Sequence, residues 1–138
     1  MPVRVRQFLW FAGIGVVGFV VDASIVFALV RGAGVNPYLA RVASFCAAVT
    51  TTWFLNRTLN FRSARPPLRE FAGFLAANSV GAAVNFGAYS LVIARIGTQG
   101  LAPVTAVGVG SIAGLGVNFL LSSRLVFSAD KNEAHADL

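Results

Sequence analysis

The chain alternates long apolar runs with short polar breaks. Four runs stand out: Phe8 to Val30, Leu39 to Leu55, Phe71 to Ala94 and Leu101 to Leu121. Each is close to the roughly 20 residues that carry a helix across a hydrocarbon core of about 30 Å. In lipid the backbone must satisfy its own hydrogen bonds, so runs of this kind predict helices. "RGAGVNP" joins the first pair and "RIGTQG" the second, while the middle linker "NRTLNFRSARPPLRE" is polar, basic and broken by prolines. The tail "SADKNEAHADL", residues 128–138, is polar throughout and predicts disorder.

The expected architecture is therefore an all-α membrane protein of four transmembrane helices. They form a single domain over residues 1–127, built from hairpins at about 7–62 and 70–127. The first run is too long for the apolar part of a signal peptide, lacks a small-residue cleavage site and is followed by three more runs.

Composition strengthens that reading. Of the 138 residues, 57% are hydrophobic and 12% charged, against about 25% charged in an average soluble domain. The net charge of +6 raises nucleic acid as a partner, but the basic residues sit at the ends of apolar runs and form no patch interleaved with aromatics, so none is expected. Sorted by side, Arg4, Arg6, Arg57, Arg62, Arg65, Arg69, Arg124 and Lys131 oppose Arg31, Arg41 and Arg95, a count of 8 to 3. The positive-inside rule then places both termini and the middle linker in the cytoplasm. Cys46 is the one cysteine, expected as a small buried hydrophobe, and His135 as a solvated surface residue.

Sliding the chain on itself by 63 positions lays residues 7–30 over 70–93, with Phe8 on Phe71, Gly18 on Gly81 and Asp22 on Asn85. A shift of 66 lays residues 52–61 over 118–127, with Trp53 on Phe119, Leu55 on Leu121 and Phe61 on Phe127. Two related hairpins entering from the same side predict a parallel repeat about an axis along the membrane normal.

The repeat aligns polar positions. Gly15, Gly18 and Asp22 fall over Asn78, Gly81 and Asn85, while Ser44, Ala48, Thr52 and Asn56 fall over Gly110, Gly114, Asn118 and Ser122. Stripes of this type either hold helices together or line a polar path. Gly110 and Gly114, a GxxxG pair, are also candidate contacts for a homo-oligomer.

Asp22 is costly glue, because a carboxylate at the centre of a membrane helix costs roughly 2.5–3.5 kcal/mol on insertion scales. Counted from the loop, its depth differs from that of Arg41 by about 6 Å at 1.5 Å per residue, within an arginine's reach. In the second hairpin Asn85 and Val107 replace Asp22 and Arg41. Both charges vanish together, which avoids a buried charge without a partner.

An intramembrane Asp in the first run, "YLARVASF" opening the second and "FLNRTLNF" closing it resemble the GtrA-like family of small bacterial membrane proteins, over about residues 7–127. The most specific piece is Asn56-Arg57 followed by Phe61. The second hairpin departs from it, with Ser122 and Ser123 at those places and Arg124 one position later.

The resemblance implies a multi-pass protein of the bacterial cytoplasmic membrane that moves polyprenyl-phosphate-linked sugars between leaflets for cell-surface polysaccharide synthesis, or that assists a membrane glycosyltransferase. Under it, Arg57, Asn56, Arg62, Arg41 and Arg124 are the candidates for binding the lipid phosphate, since guanidinium forks suit phosphate. Asp22, Asn78, Asn85, Thr52 and Asn118 are the candidates for a polar path or intramembrane pairing. The plainer alternative for Arg57, Arg62, Arg65 and Arg69 is that they set topology and touch anionic lipids.

No enzyme signature is present: there is no paired carboxylate, no Ser/His/Asp set and no phosphate-cradling glycine loop, and no cofactor or metal is expected. Three function classes stand: a translocator of lipid-linked sugar, a scaffold for a glycosyltransferase, and a four-span exporter using Asp22 as proton carrier. The charge bias, the Asn-Arg pair and the half-to-half repeat weigh against the exporter.

Overall fold

The computed structural model describes residues 1–127, apart from the side chains of residues 37, 38, 103 and 104. The expectations for the tail, with Lys131 and His135, lie outside the described residues.

Among the described residues the chain is all-α: α1 (Val3–Phe27), α2 (Pro37–Leu55), α3 (Pro67–Ile96) and α4 (Ala102–Leu121). Three helices continue into a π-helical turn, α1 through Ala28–Gly32, α2 through Asn56–Asn60 and α4 through Ser122–Val126. In each the chain closes with bonds five residues long: Ala33 N donates to Ala28 O, Phe61 N to Asn56 O at 2.8 Å, and Phe127 N to Ser122 O at 2.9 Å. Each π turn carries one arginine, Arg31, Arg57 or Arg124, where a cation meets the unpaired carbonyls of a helix end. By contrast, α3 stops at Gly97, whose φ of 78° suits glycine.

Among the described residues, three helical stretches are long and apolar enough to cross a membrane: Val3–Gly32, Pro67–Ile96 and Thr105–Val126. Their outward side chains are large and apolar, with Phe19 70%, Phe86 72% and Ile112 75% exposed, the pattern of a surface solvated by lipid. The fourth helix, α2, is 19 residues long and carries Arg41, Ser44 and Thr50 to Thr52.

The middle linker is shorter than the sequence suggests. Asn56–Asn60 extends α2 as a π turn, and Pro67–Glu70 is already the first turn of α3. Prolines at 66 and 67 start a helix here, because the first helical positions need no backbone N–H.

The chain divides into two compact units, Met1–Ala64 and Arg65 onward. In the first, α1 packs on α2, burying Phe11, Ile14 and Gly18 from one side and Ala40, Ser44, Val49 and Asn56 from the other. In the second, α3 packs on α4, burying Glu70, Phe74, Ala77 and Gly81 against Ala106, Gly110, Gly114, Phe119 and Ser122.

Several expectations are corrected. Cys46 is exposed: it lies two residues past buried Ser44, about 200° round the helix from the packed face. Gly15 is exposed with open space around it, so α1 packs through Gly18 and not through a stripe that includes Gly15. Gly110 and Gly114 face Asn85 of α3, so the GxxxG pair is used within the chain.

Candidate functional site

In the first unit, Arg41 Nη1 donates to both carboxylate oxygens of Asp22, at 2.8 and 2.6 Å. The pair joins α1 to α2 near the loop end of the hairpin. The Asp22 side chain is 20% exposed and that of Arg41 60%, so the carboxylate sits within the hairpin and the guanidinium at its edge. Ser44 Oγ donates to Arg41 O at 3.0 Å.

The pair borders an open cavity of about 640 Å³ bounded by Phe19, Val26, Phe27 and Val30, with Arg31 at its end. Phe19, Ala23, Phe27 and Arg31 follow one another every four residues along α1 and its π turn. They form one row of the helix surface.

Polar side chains run from the middle of α2 to its other end. Thr52 lies against Gly18, close enough that a Cβ there would overlap its methyl group. The Thr52 hydroxyl donates to Ala48 O (3.0 Å) and Val49 O (3.1 Å). One turn on, Asn56 Nδ2 donates to Thr52 O at 2.9 Å, and Asn60 Nδ2 donates to Asn56 Oδ1 and to Gln7 O of α1, both at 3.0 Å. Asn60 extends the four-residue spacing of Ser44, Ala48, Thr52 and Asn56 by one more step, a signal in the sequence that stopping the stripe at Asn56 overlooks.

Arg57 turns the other way from buried Asn56, with its guanidinium carbon 5.8 Å from the centre of the Trp53 ring. This cation–π contact holds it at the edge of the hairpin. Arg62 is exposed in the left-handed backbone region, with φ of 50°. Arg57 and Arg41 are 16 residues apart on α2 and its π turn, about 24 Å along a helix. They therefore belong to opposite ends of the hairpin.

In the second unit, Asn85 packs into the space left by Gly110 and Gly114, with its Oδ1 2.6 Å and its Cβ 2.8 Å from where their Cβ atoms would stand. Asn118 presents its amide to Gly81 in the same way. Asn78 Nδ2 donates to Phe74 O of its own helix at 2.9 Å. Two buried polar atoms of α4 and its π turn, Asn118 Oδ1 and Ser122 Oγ, have no hydrogen-bond partner. Arg124 is exposed on the π turn.

Sequence reasoning missed two residues here. Glu70 is buried, with 2% exposure, and its place opposite Gln7 in the alignment of the halves was the available signal. Arg65 Nη1 donates to Leu125 O at 3.1 Å and to Val126 O, capping the last turn of the hairpin rather than serving as a topology charge alone. Nothing in the sequence announces this, because it depends on where the π turn ends.

The geometry is that of two helical hairpins whose seams are polar and whose outer faces are apolar, one hairpin carrying a charge pair beside an open groove. No curated protein matches the chain. The description "GtrA/DPMS, transmembrane domain" matches residues 10–127, and the chain belongs to that family of membrane domains.

Proposed function

We propose that the protein translocates polyprenyl-phosphate-linked sugars across the bacterial cytoplasmic membrane, supplying cell-surface polysaccharide synthesis or glycosylation. Family membership supports the class. The observation that carries the reading is the Asp22–Arg41 pair, a full charge of each sign held at the edge of a lipid-facing hairpin. A lipid tail can stay in the bilayer while its headgroup crosses, and the headgroup needs polar groups along the way.

In this reading both termini are cytoplasmic, following the arginine bias. Arg57, with Arg62 and Arg124, collects the phosphate at the cytoplasmic side, and Thr52, Asn78, Asn85 and Asn118 offer hydroxyl and amide groups along the seams. In this reading the two hairpins are repeats of one unit. Supporting this, the buried positions Phe11, Ile14 and Gly18 recur 63 residues later as Phe74, Ala77 and Gly81, and the π turn Asn56–Asn60 recurs 66 residues later as Ser122–Val126. A homo-oligomer would supply further walls for the path.

A second reading, a scaffold that recruits or assists a membrane glycosyltransferase, is favoured by one observation. Thr52, Asn56 and Asn78 spend their hydrogen bonds on their own helices and neighbours, as packing groups do.

The deciding experiment is translocation of a polyprenyl-phosphate sugar in proteoliposomes by the native chain, Asp22→Asn and Arg57→Ala. Transport that either substitution abolishes, with the fold intact, supports the translocator. An absence of transport, with a glycosyltransferase still bound, supports the scaffold.

A further inference from the structure

Asp22 has a second neighbour besides Arg41. Ser44 lies just under one turn past Arg41 on α2 and is fully buried. Its hydroxyl donates to Arg41 O at 3.0 Å, a carbonyl that inside a helix already accepts from the N–H four residues on. The same hydroxyl faces the Asp22 carboxylate. Its one proton therefore has two acceptors within reach, and while Arg41 is paired it goes to the one that needs it less.

The second hairpin supplies a control. In the alignment of the halves Asp22, Arg41 and Ser44 fall over Asn85, Val107 and Gly110, so the hydroxyl is absent together with both charges. Asn85 packs on Gly110, its Oδ1 2.6 Å from where a Cβ would stand. Both hairpins thus set these two places against each other, and the hydroxyl is present only where the neighbour is a carboxylate.

Arg41 is held from one side. Its Nη1 makes both bonds to Asp22, its other N–H donors have no partner among the described residues, and its side chain is largely exposed beside the open cavity. The guanidinium can swing out, whereas the carboxylate, mostly enclosed by the hairpin, cannot follow it. A carboxylate left there without a donor is the costly state.

We infer that Ser44 is the positioning residue of this site: as Arg41 detaches, the Ser44 hydroxyl turns from Arg41 O to the Asp22 carboxylate and holds it, so that the guanidinium is free to face the cavity. The three side chains form one unit with two states, Arg41 in or Arg41 out, and passing between them asks for no movement of either helix. The inference rests on the translocation reading for its purpose, since a transport site has to let its cation go, but not for its test.

The test is the detachment of Arg41, read by NMR as rotation of its guanidinium about the Nε–Cζ bond. The sample is the full chain with isotope-labelled arginine in phosphatidylcholine nanodiscs, where the Arg41 signal is the one lost in Arg41→Gln. Rotation proceeds from the detached state, so its rate follows the detached population. Ser44→Ala should slow it about tenfold, because the detached state loses a hydrogen bond to a charged group. Ser44→Cys, of nearly the same size but a weak donor, should slow it as well and is the second variant should the alanine chain lose native helicity. In an Asp22→Asn background, Ser44→Ala should have no effect on the rate.

Faster rotation in the Ser44 variants, as a hydroxyl that merely braces α2 would give, overturns the inference, and so does an unchanged rate. The same slowing in the Asp22→Asn background overturns it too, since the hydroxyl would then act without the carboxylate. Transport by the native chain with rotation indifferent to Ser44 would sink the handover and leave the translocator standing. The tenfold slowing in a chain that carries no sugar lipid across would do the reverse.

Discussion

Gly18 of α1 and Thr52 of α2 stand so close that a single methyl group on the glycine would overlap the threonine methyl, and Gly81 and Asn118 stand in the same relation in the other hairpin. Glycine is needed at position 18 for close approach, since its φ is that of an ordinary helix. Gly18→Ala should therefore destabilise the first hairpin by about 1–3 kcal/mol, the range for overpacking a filled interface. Thr52→Ser removes the obstructing methyl and keeps the hydroxyl that bonds Ala48 O and Val49 O. The double variant Gly18→Ala/Thr52→Ser should recover most of the loss in thermal unfolding in detergent. Failure of that recovery would show that the contact is not what limits residue 18.

Asn56 and Ser122 occupy matching places at the ends of α2 and α4, are both buried, and differ in what they bond. Asn56 accepts from Asn60 and donates to Thr52 O, whereas Ser122 Oγ has no partner. Removing a satisfied group strands its partners, at a cost of about 1–3 kcal/mol, and removing an unsatisfied one strands nothing. Asn56→Ala should lower stability by that amount, and Ser122→Ala should leave it unchanged or raise it. Equal losses in the two variants would mean that Ser122 has a partner, such as an ordered water.

The contrast also marks what could be read from the sequence. Periodicity and charge bias gave the helices and the seam positions Ser44, Thr52, Asn56 and Asn118, because lipid leaves few alternatives for an apolar run of this length. Counting residues from the loop was enough to bring Asp22 and Arg41 within reach, since both sit on regular helix. The misses have two origins. Helix ends depend on local backbone bonding, so the π turns, the early start of α3 at Pro67 and the carbonyls capped by Arg65 were not visible as pattern. Cys46 was misplaced because residue type gives only a preference for burial, and Gly15 because a spacing of three from Gly18 does not by itself bring a residue onto the packed face.

Arg65 offers a test of that point. Its Nη1 holds the carbonyls of Leu125 and Val126, which the end of the helix leaves without intrahelical partners. Arg65→Gln should speed amide hydrogen exchange across Leu120 to Phe127 and cost roughly 1–2 kcal/mol, a charged hydrogen bond discounted for partial exposure. Arg69→Gln, an exposed neighbour two residues into α3, should leave the same amides unaffected. If both substitutions act alike, the basic linker works through net charge and the capping geometry is incidental.

The Asp22–Arg41 pair makes the most discriminating prediction, because its two members should not contribute independently. In Arg41→Gln the carboxylate stays between α1 and α2 without a cation. In Asp22→Asn the guanidinium loses both of its bonds, although its 60% exposure lets it turn outward. The aspartate's loss of its partner should therefore cost more than the arginine's. With both replaced, the hairpin has the neutral character already present in the second unit, where Asn85 and Val107 stand at these positions, and a neutral pair strands no charge. The double variant should be more stable than Arg41→Gln alone, with a coupling of about 0.5–3 kcal/mol in a complete cycle of unfolding measurements. Additive losses would mean that the two residues act separately, and the charge pair would then no longer explain why an apolar helix carries a carboxylate.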